Sequence, residues 1–177
     1  GIPKERRPFE YRVGLSPAGV EILSQMGSQV YVEHEAGVGA GFSDREYEKA
    51  GARLVYSGEE VYGRADLLLK VARPLKEELE WIRPETALMA ALHLASARQD
   101  KLDVLIEKKI TSIAYEQIAL ADGTRPVLRP FSQMCGAMAA SIAARSASGR
   151  ARRTPGRSAT CQVTGRPAFS GRRSTPW

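Results

Sequence analysis

The chain contains 177 residues with a formal net charge of +6, and hydrophobic residues make up 43% of it. No apolar run approaches the roughly 18 residues of a membrane span, and the charged start Gly1–Arg7 lacks an apolar signal region. Two cysteines, Cys135 and Cys161, are too few for a disulfide-dense mini-domain or a multi-cysteine zinc module. The composition therefore excludes these classes and favours an ordinary soluble globular domain.

The charge is distributed unevenly along the chain. Residues 1–144 carry a net −2, whereas residues 145–177 carry +8, from eight arginines and no acidic residue. The first segment gives no electrostatic reason to expect nucleic-acid binding. The second is rich in Arg, Ser, Thr, Gly and Pro, and it cannot bury enough apolar surface to offset the entropy of ordering. We predict a disordered tail, either a solvated terminus or an arm that binds RNA or DNA.

Residues 1–128 alternate short apolar runs with amphipathic stretches. A helix is predicted to begin at Ser16-Pro17 and to end at Gly27, because serine caps a helix, proline suits its first position and glycine ends it. Further helices are predicted at Asp44–Ala50, Lys76–Trp81 and Gln99–Lys108, and a helical turn at Glu59–Tyr62. Strands are predicted at Gln29–Val32, Arg53–Tyr56, Asp66–Val71, Ala87–Leu92 and Ile110–Ala114. This alternation predicts an α/β fold with a mainly parallel sheet, and functional residues at the carboxyl ends of its strands.

Several separated motifs occur in a specific order. They are GIPKE at residues 1–5, EYRVGLSPAGV at 10–20, ADLLLKV at 65–71, LHLA at 92–95 and SIAYE at 112–116. Together they resemble the N-terminal substrate domain of the alanine dehydrogenase and nicotinamide nucleotide transhydrogenase family, and the resemblance extends to about Ala144. His93 within LHLA favours the dehydrogenase branch.

The resemblance implies an architecture and a reaction. Residues 1–130 are expected to form a Rossmann-like or flavodoxin-like parallel sheet with flanking helices, 131–144 a linking helix, and 145–177 the disordered tail. Intact members deaminate L-alanine oxidatively to pyruvate and ammonium with NAD, use no metal in this site, and are cytoplasmic homo-oligomers. By resemblance, Tyr115 and Glu116 match a pair at the edge of the site, and Ser132 matches a serine that faces the cofactor.

Three further residues are expected, by resemblance, to act on the substrate. Arg12 binds the carboxylate, Lys70 contacts the carboxylate and carbonyl, and His93 is the general acid/base. The residue types fit these roles, because a guanidinium grips a carboxylate with two bonds and imidazole exchanges protons near neutral pH. Lys70 would sit at the carboxyl end of the strand Leu67–Lys70. Considered alone, Arg12 would be a surface ion-pair partner, Lys70 a lysine that extends from a strand end to solvent, and His93 a structural histidine. Their joint occurrence in the order of the family motifs favours a substrate site.

The chain also departs from the family pattern. Phe9-Glu10 stands where the family usually has Asn-Glu, so the loop that carries Arg12 is expected to be oriented differently. Ala72-Arg73-Pro74 stands where Lys-Glu-Pro is usual. Because the chain starts at Gly1, its first strand is expected to be clipped.

No Gly-x-Gly-x-x-Gly motif follows residue 144, and residues 145–177 contain no aspartate. The chain is therefore expected to be a substrate-binding half that is inactive alone, without the NAD-binding domain. If the codons for Gly156 to Arg173 are read one nucleotide forward, they permit a segment that resembles the family sequence between the linking helix and the NAD-binding domain. We therefore interpret the tail as the product of a frameshift. The alternatives are a fragment like the transhydrogenase alpha subunit, and a non-catalytic module whose basic tail contacts RNA or membranes.

Overall fold

Helices and parallel strands alternate in the computed structural model, which describes the backbone of residues 1–151 and the side chains of residues 1–146. The α-helices are α1 (Pro17–Gln25), α2 (Asp44–Lys49), α3 (Gly58–Arg64), α4 (Lys76–Trp81), α5 (Gln99–Glu107) and α6 (Arg129–Ala151). The strands are β1 (Tyr31–Glu33), β2 (Arg53–Val55), β3 (Leu67–Ala72), β4 (Ala87–Ala91) and β5 (Thr111–Ala114). The predicted α/β fold is confirmed.

All strand pairs are parallel and fall into two sheets, β1–β2 and β3–β4–β5. The first two residues join these sheets. The Ile2 N–H donates to the carbonyl of Tyr31 at 2.8 Å, and the Leu69 N–H donates to the carbonyl of Gly1 at 2.9 Å. Gly1 and Ile2 therefore lie in a strand position between β1 and β3, although only a single bridge, from Ile2 to Val32, is formed there.

Two apolar cores flank the strands. Leu68 of β3 packs with the residues of α3 and α4 in one core, and Leu69 packs with the residues of α1 and α2 in the other. Successive side chains of a strand point to opposite faces, which is why neighbouring leucines serve different cores. Truncating the fully buried Leu68 to alanine is expected to cost about 2–5 kcal/mol.

Local signals explain where the elements begin and end. The Ser16 hydroxyl accepts a hydrogen bond from the Gly19 N–H at 3.4 Å, and Pro17 is the first residue of α1. Gly27 follows α1 with φ +86°, a left-handed conformation that glycine adopts without steric cost. These predicted helix boundaries agree with the structure.

Most of the other elements begin or end one or two residues from the predicted positions, and three differences bear on the fold or the site. The turn predicted at Glu59–Tyr62 is part of the longer helix α3, and β3 continues beyond the predicted end. Helix α6 begins before the predicted linking helix and continues to Ala151, because its alanines and arginines favour helix. The remaining part of the tail that was predicted to be disordered, residues 152–177, lies outside the described residues.

The chain divides into two compact units, the first being Gly1–Gln133 and the second beginning at Met134. The first holds every strand of the described region. In the second, the described residues continue α6. Among the described residues, no helix is both long and apolar enough to cross a membrane.

Candidate active site

A cavity of about 700 Å³ runs along one face of β3 and β4 and ends beyond the carboxyl ends of the strands. Its walls are mainly apolar. The polar side chains that reach it belong to Arg12, His93, Tyr115 and Glu116. These residues come from a loop near the start of the chain and from the segments that follow β4 and β5. The fold thus brings together groups that are up to about a hundred residues apart in sequence, at the strand ends where function was predicted.

Arg12 is held by a carboxylate from its own loop. Its Nε donates to Oε1 of Glu10 at 2.8 Å, and its Nη2 donates to Oε2 at 2.6 Å. The Arg12 guanidinium carbon also lies 5.3 Å from the centre of the Phe131 ring, within cation–π range. The hydrogen bonds from Arg12 hold the pKa of the Glu10 carboxyl below its ordinary range, and they raise the pKa of the Arg12 guanidinium. Both groups are therefore charged at neutral pH.

The turn before Arg12 contains the first departure from the family pattern. The Glu10 N–H donates to the Arg7 carbonyl at 3.1 Å, which closes the turn. Phe9 within it has φ +66°, and its side chain is 87% exposed. Asparagine tolerates this left-handed conformation, whereas a bulky side chain is strained in it. Phe9 therefore replaces the usual asparagine at the one position of the turn whose left-handed backbone favours asparagine.

His93 follows β4 and also has a left-handed backbone, with φ 46° and ψ 48°. Its N–H donates to Oε1 of Glu116 at 2.6 Å, and its ring atom Nδ1 lies 3.8 Å from the same oxygen. The His93 side chain is 60% exposed, while that of Glu116 is 10% exposed. The imidazole is therefore accessible beside a buried carboxylate.

Tyr115 and Glu116 lie in the short 3-10 helix that follows β5. Burial raises the pKa of the Tyr115 hydroxyl, so this group is neutral at pH 7 and can donate a hydrogen bond. Within the described part of the chain, Oε2 of Glu116 is buried and has no hydrogen-bond partner.

Lys70 does not line this cavity. Its neighbours Leu69 and Val71 do, and the side chain between them lies on the opposite face of β3. Lys70 is fully buried there, with Nζ 2.8 Å from Oε1 of Glu78 and 3.3 Å from Oε2 of Glu5. The prediction that Lys70 ends its strand is wrong, because β3 extends beyond it. The structure does not bring Lys70 together with the polar groups of the cavity.

A bulge in β3 accompanies this arrangement. Leu69 pairs with Met89, but the next pair in register is Ala72 with Ala91, so β3 has one extra residue in between. Glu5 caps the bulge, since its Oε1 accepts a hydrogen bond from the Val71 N–H at 2.7 Å. Ala72 is the first residue of the second departure from the family pattern. Because of the bulge, Ala72 pairs with Ala91, which lines the cavity.

Ser132 lies in α6 and is exposed. It lines a separate surface hollow of about 510 Å³, whose other members include Arg125 and Arg129. Leu128 lines both this hollow and the Arg12–His93 cavity. The two are thus neighbours, and Ser132 does not belong to the group around His93.

Two carboxylates that contact predicted site residues, Glu10 and Glu78, were not predicted to do so from the sequence. Glu10 stands two residues before Arg12. An acidic and a basic residue at this spacing in a turn could have predicted the ion pair between them. Glu78 lies in α4, where its Oε2 accepts the Leu75 N–H at 2.7 Å in a capping arrangement. The sequence carries only the glutamate of a capping box, because Leu75 has no side-chain acceptor, and the contact of Glu78 with Lys70 depends on how α4 packs against the strands.

Comparisons with known proteins identify the family of the chain. The family described as "Alanine dehydrogenase/PNT, N-terminal domain" matches residues 1–135. Alanine dehydrogenases of Geobacillus stearothermophilus and Mycobacterium tuberculosis are 44% and 41% identical over 144 residues, which is 81% of this chain and 38% of each relative. The chain thus spans about two fifths of the length of these relatives.

Solved structures show the same two branches. An L-alanine dehydrogenase superposes with a TM-score of 0.77 and 38% identity over 82% of this chain and 40% of that structure. A transhydrogenase from Sinorhizobium meliloti superposes with a TM-score of 0.61 and 34% identity over 65% of this chain and 32% of that structure. The similarity to the dehydrogenase therefore covers more of the chain.

Proposed function

Because the chain belongs to the family of alanine dehydrogenase/PNT N-terminal domains, we propose that it is the substrate-binding part of an alanine dehydrogenase. The reaction is the NAD-dependent oxidative deamination of L-alanine to pyruvate and ammonium. The observation that carries this proposal is the convergence of Arg12 and His93 on one largely apolar cavity. A small 2-oxo acid needs one cation for its carboxylate and one proton-transfer group for its oxygen, and this cavity supplies both.

Arg12 binds the substrate carboxylate. Glu10 occupies its Nε and Nη2 atoms, which leaves the Nη1 atom for a second carboxylate. The contact with the Phe131 ring keeps the guanidinium plane fixed, so less side-chain freedom is lost when the substrate binds.

His93 holds the proton that is exchanged with the oxygen on C2 of the substrate. Its exposed ring reaches the same cavity as Arg12, and the neutral Tyr115 hydroxyl provides a further donor at this edge.

Lys70 supports this site indirectly. Its ammonium group neutralises Glu5 and Glu78 on the far face of β3, and Glu5 in turn caps the bulge beside the cavity. We therefore assign Lys70 to the architecture of the strand end and not to substrate contact.

NAD is the proposed cofactor, and when bound it would supply a hydride acceptor for C2 of the substrate. The hollow with Ser132, Arg125 and Arg129 offers a hydroxyl and two guanidinium groups, which are donors that suit a phosphate. These residues would hold a phosphate group of the cofactor. A cytoplasmic homo-oligomer is proposed on the family relationship alone.

Titration calorimetry of pyruvate into the purified chain tests the carboxylate site. We expect Arg12→Gln to weaken binding about tenfold or more, as for loss of a charge-assisted hydrogen bond. Arg45→Gln is the matched control, because Arg45 is exposed and does not line the cavity. Equal affinities for the two variants would rule out Arg12 as the carboxylate site.

A further inference from the structure

His93 has a backbone conformation that histidine rarely adopts. Its φ of 46° and ψ of 48° lie in the left-handed region, where a Cβ atom crowds the following carbonyl. Such conformations persist only where surrounding contacts hold them, and they concentrate at functional sites. The contact that holds His93 therefore bears on how its ring is presented.

Glu116 provides this contact. Its Oε1 accepts the His93 N–H at 2.6 Å, in a direct link between the segment after β4 and the segment after β5. Because the Glu116 side chain is 10% exposed, little water competes for this bond.

The second oxygen of Glu116 is the unusual feature. Oε2 is buried and has no hydrogen-bond partner among residues whose side chains the structure describes. A buried carboxylate oxygen is normally hydrogen-bonded, since leaving it without a donor is unfavourable. The imidazole of His93 lies beside this carboxylate, with Nδ1 3.8 Å from its other oxygen, Oε1, so a small rotation of the exposed ring brings the Nδ1–H within hydrogen-bond distance of Oε1.

We propose that Glu116 is the positioning residue of His93. Its carboxylate takes both the backbone N–H and, after that rotation, the Nδ1–H of the ring. This fixes the neutral imidazole in the Nδ1–H tautomer and leaves Nε2 as the atom that exchanges a proton with the substrate. The inference rests on the proposed function only for the proton exchange at Nε2. The tautomer of His93 is a property of the chain without substrate and can be measured independently.

The test is ¹⁵N NMR of the full chain labelled at histidine, recorded at about pH 8.5, well above the ordinary histidine pKa. Only His34 and His93 contribute signals, and His34→Asn identifies which belongs to His93. In water neutral imidazole favours the Nε2–H tautomer. We expect His93 to be mainly Nδ1–H, and Glu116→Gln to lower the ratio of Nδ1–H to Nε2–H about tenfold, as for the loss of a charge-assisted hydrogen bond.

Glu48→Gln is the matched control, since Glu48 is an exposed glutamate of α2, and it should leave the ratio unchanged. A mainly Nε2–H His93 in the unsubstituted chain overturns the proposal without any variant having to fold. An unchanged ratio in a folded Glu116→Gln chain overturns it as well. Pyruvate binding is measured separately by calorimetry. Failure of the proposed function would appear as a loss of pyruvate binding, whereas failure of this inference would appear in the tautomer ratio of His93.

Discussion

Glu10 and Arg12 form a two-bond ion pair at the cavity, with 2.8 Å between Oε1 and Nε and 2.6 Å between Oε2 and Nη2. A carboxylate of the protein thus already occupies one edge of the guanidinium that is proposed to bind a substrate carboxylate. The pair orients Arg12, and it also reduces the positive charge available to an incoming anion.

We expect Glu10→Gln to strengthen pyruvate binding by about threefold to tenfold, because removing one negative charge near the guanidinium increases its attraction for an anion. Calorimetric titration of the variant and of Glu48→Gln measures this. Weaker binding in Glu10→Gln would mean that orientation of Arg12 by Glu10 outweighs the competition between the two carboxylates.

The strained turn gives a prediction for stability. Phe9→Asn should raise the free energy of unfolding by ~1 kcal/mol, because asparagine tolerates a φ of +66° far better than phenylalanine does. Urea denaturation measures the change. Tyr11→Asn is the control, since Tyr11 is also an exposed aromatic residue of this loop and lacks a positive φ. The strain argument fails if the two substitutions have the same effect.

The buried ion pairs on the far face of β3 give a larger effect. Lys70→Met should lower the free energy of unfolding by about 3–5 kcal/mol, because it leaves the buried carboxylates of Glu5 and Glu78 without their cation. The exposed lysine in Lys49→Met serves as the control in the same denaturation experiment. A loss below about 1 kcal/mol would show that Arg6, which lies 3.8 Å from Glu78, compensates.

The bulge predicts how the second departure from the family pattern affects the site. Ala72 pairs with Ala91 beside the cavity, so Ala72→Lys should add a cation there and strengthen pyruvate binding about threefold to tenfold. Ala72→Met has a side chain of similar length without charge and should not strengthen it. Calorimetry on both variants separates charge from bulk, and equal affinities would contradict the prediction.

Local signals predicted much of the fold. Ser16, Pro17 and Gly27 defined α1, and the alternation of helices and strands indicated a parallel sheet. Arg12 and His93 were predicted by motif, and the structure places both at one cavity near the carboxyl ends of the strands.

The position of Lys70 could not be predicted in the same way. Adjacent residues of a strand face opposite sides of the sheet. An error of one residue in the predicted position therefore places a side chain in the core instead of the cavity. The bulge after Leu69 and the contact of Lys70 with Glu78 arise from tertiary packing, and no local pattern specifies them.

The bridging position of Gly1 and Ile2 has a consequence for folding. The carbonyl of Gly1 bonds the N–H of Leu69, so the two halves of the sheet are joined through a contact between segments nearly seventy residues apart. Closing so long a loop is entropically costly and tends to occur late. We therefore expect β3–β4–β5 and β1–β2 to gain hydrogen-exchange protection in two stages, with the amide of Leu69 among the last to be protected during refolding.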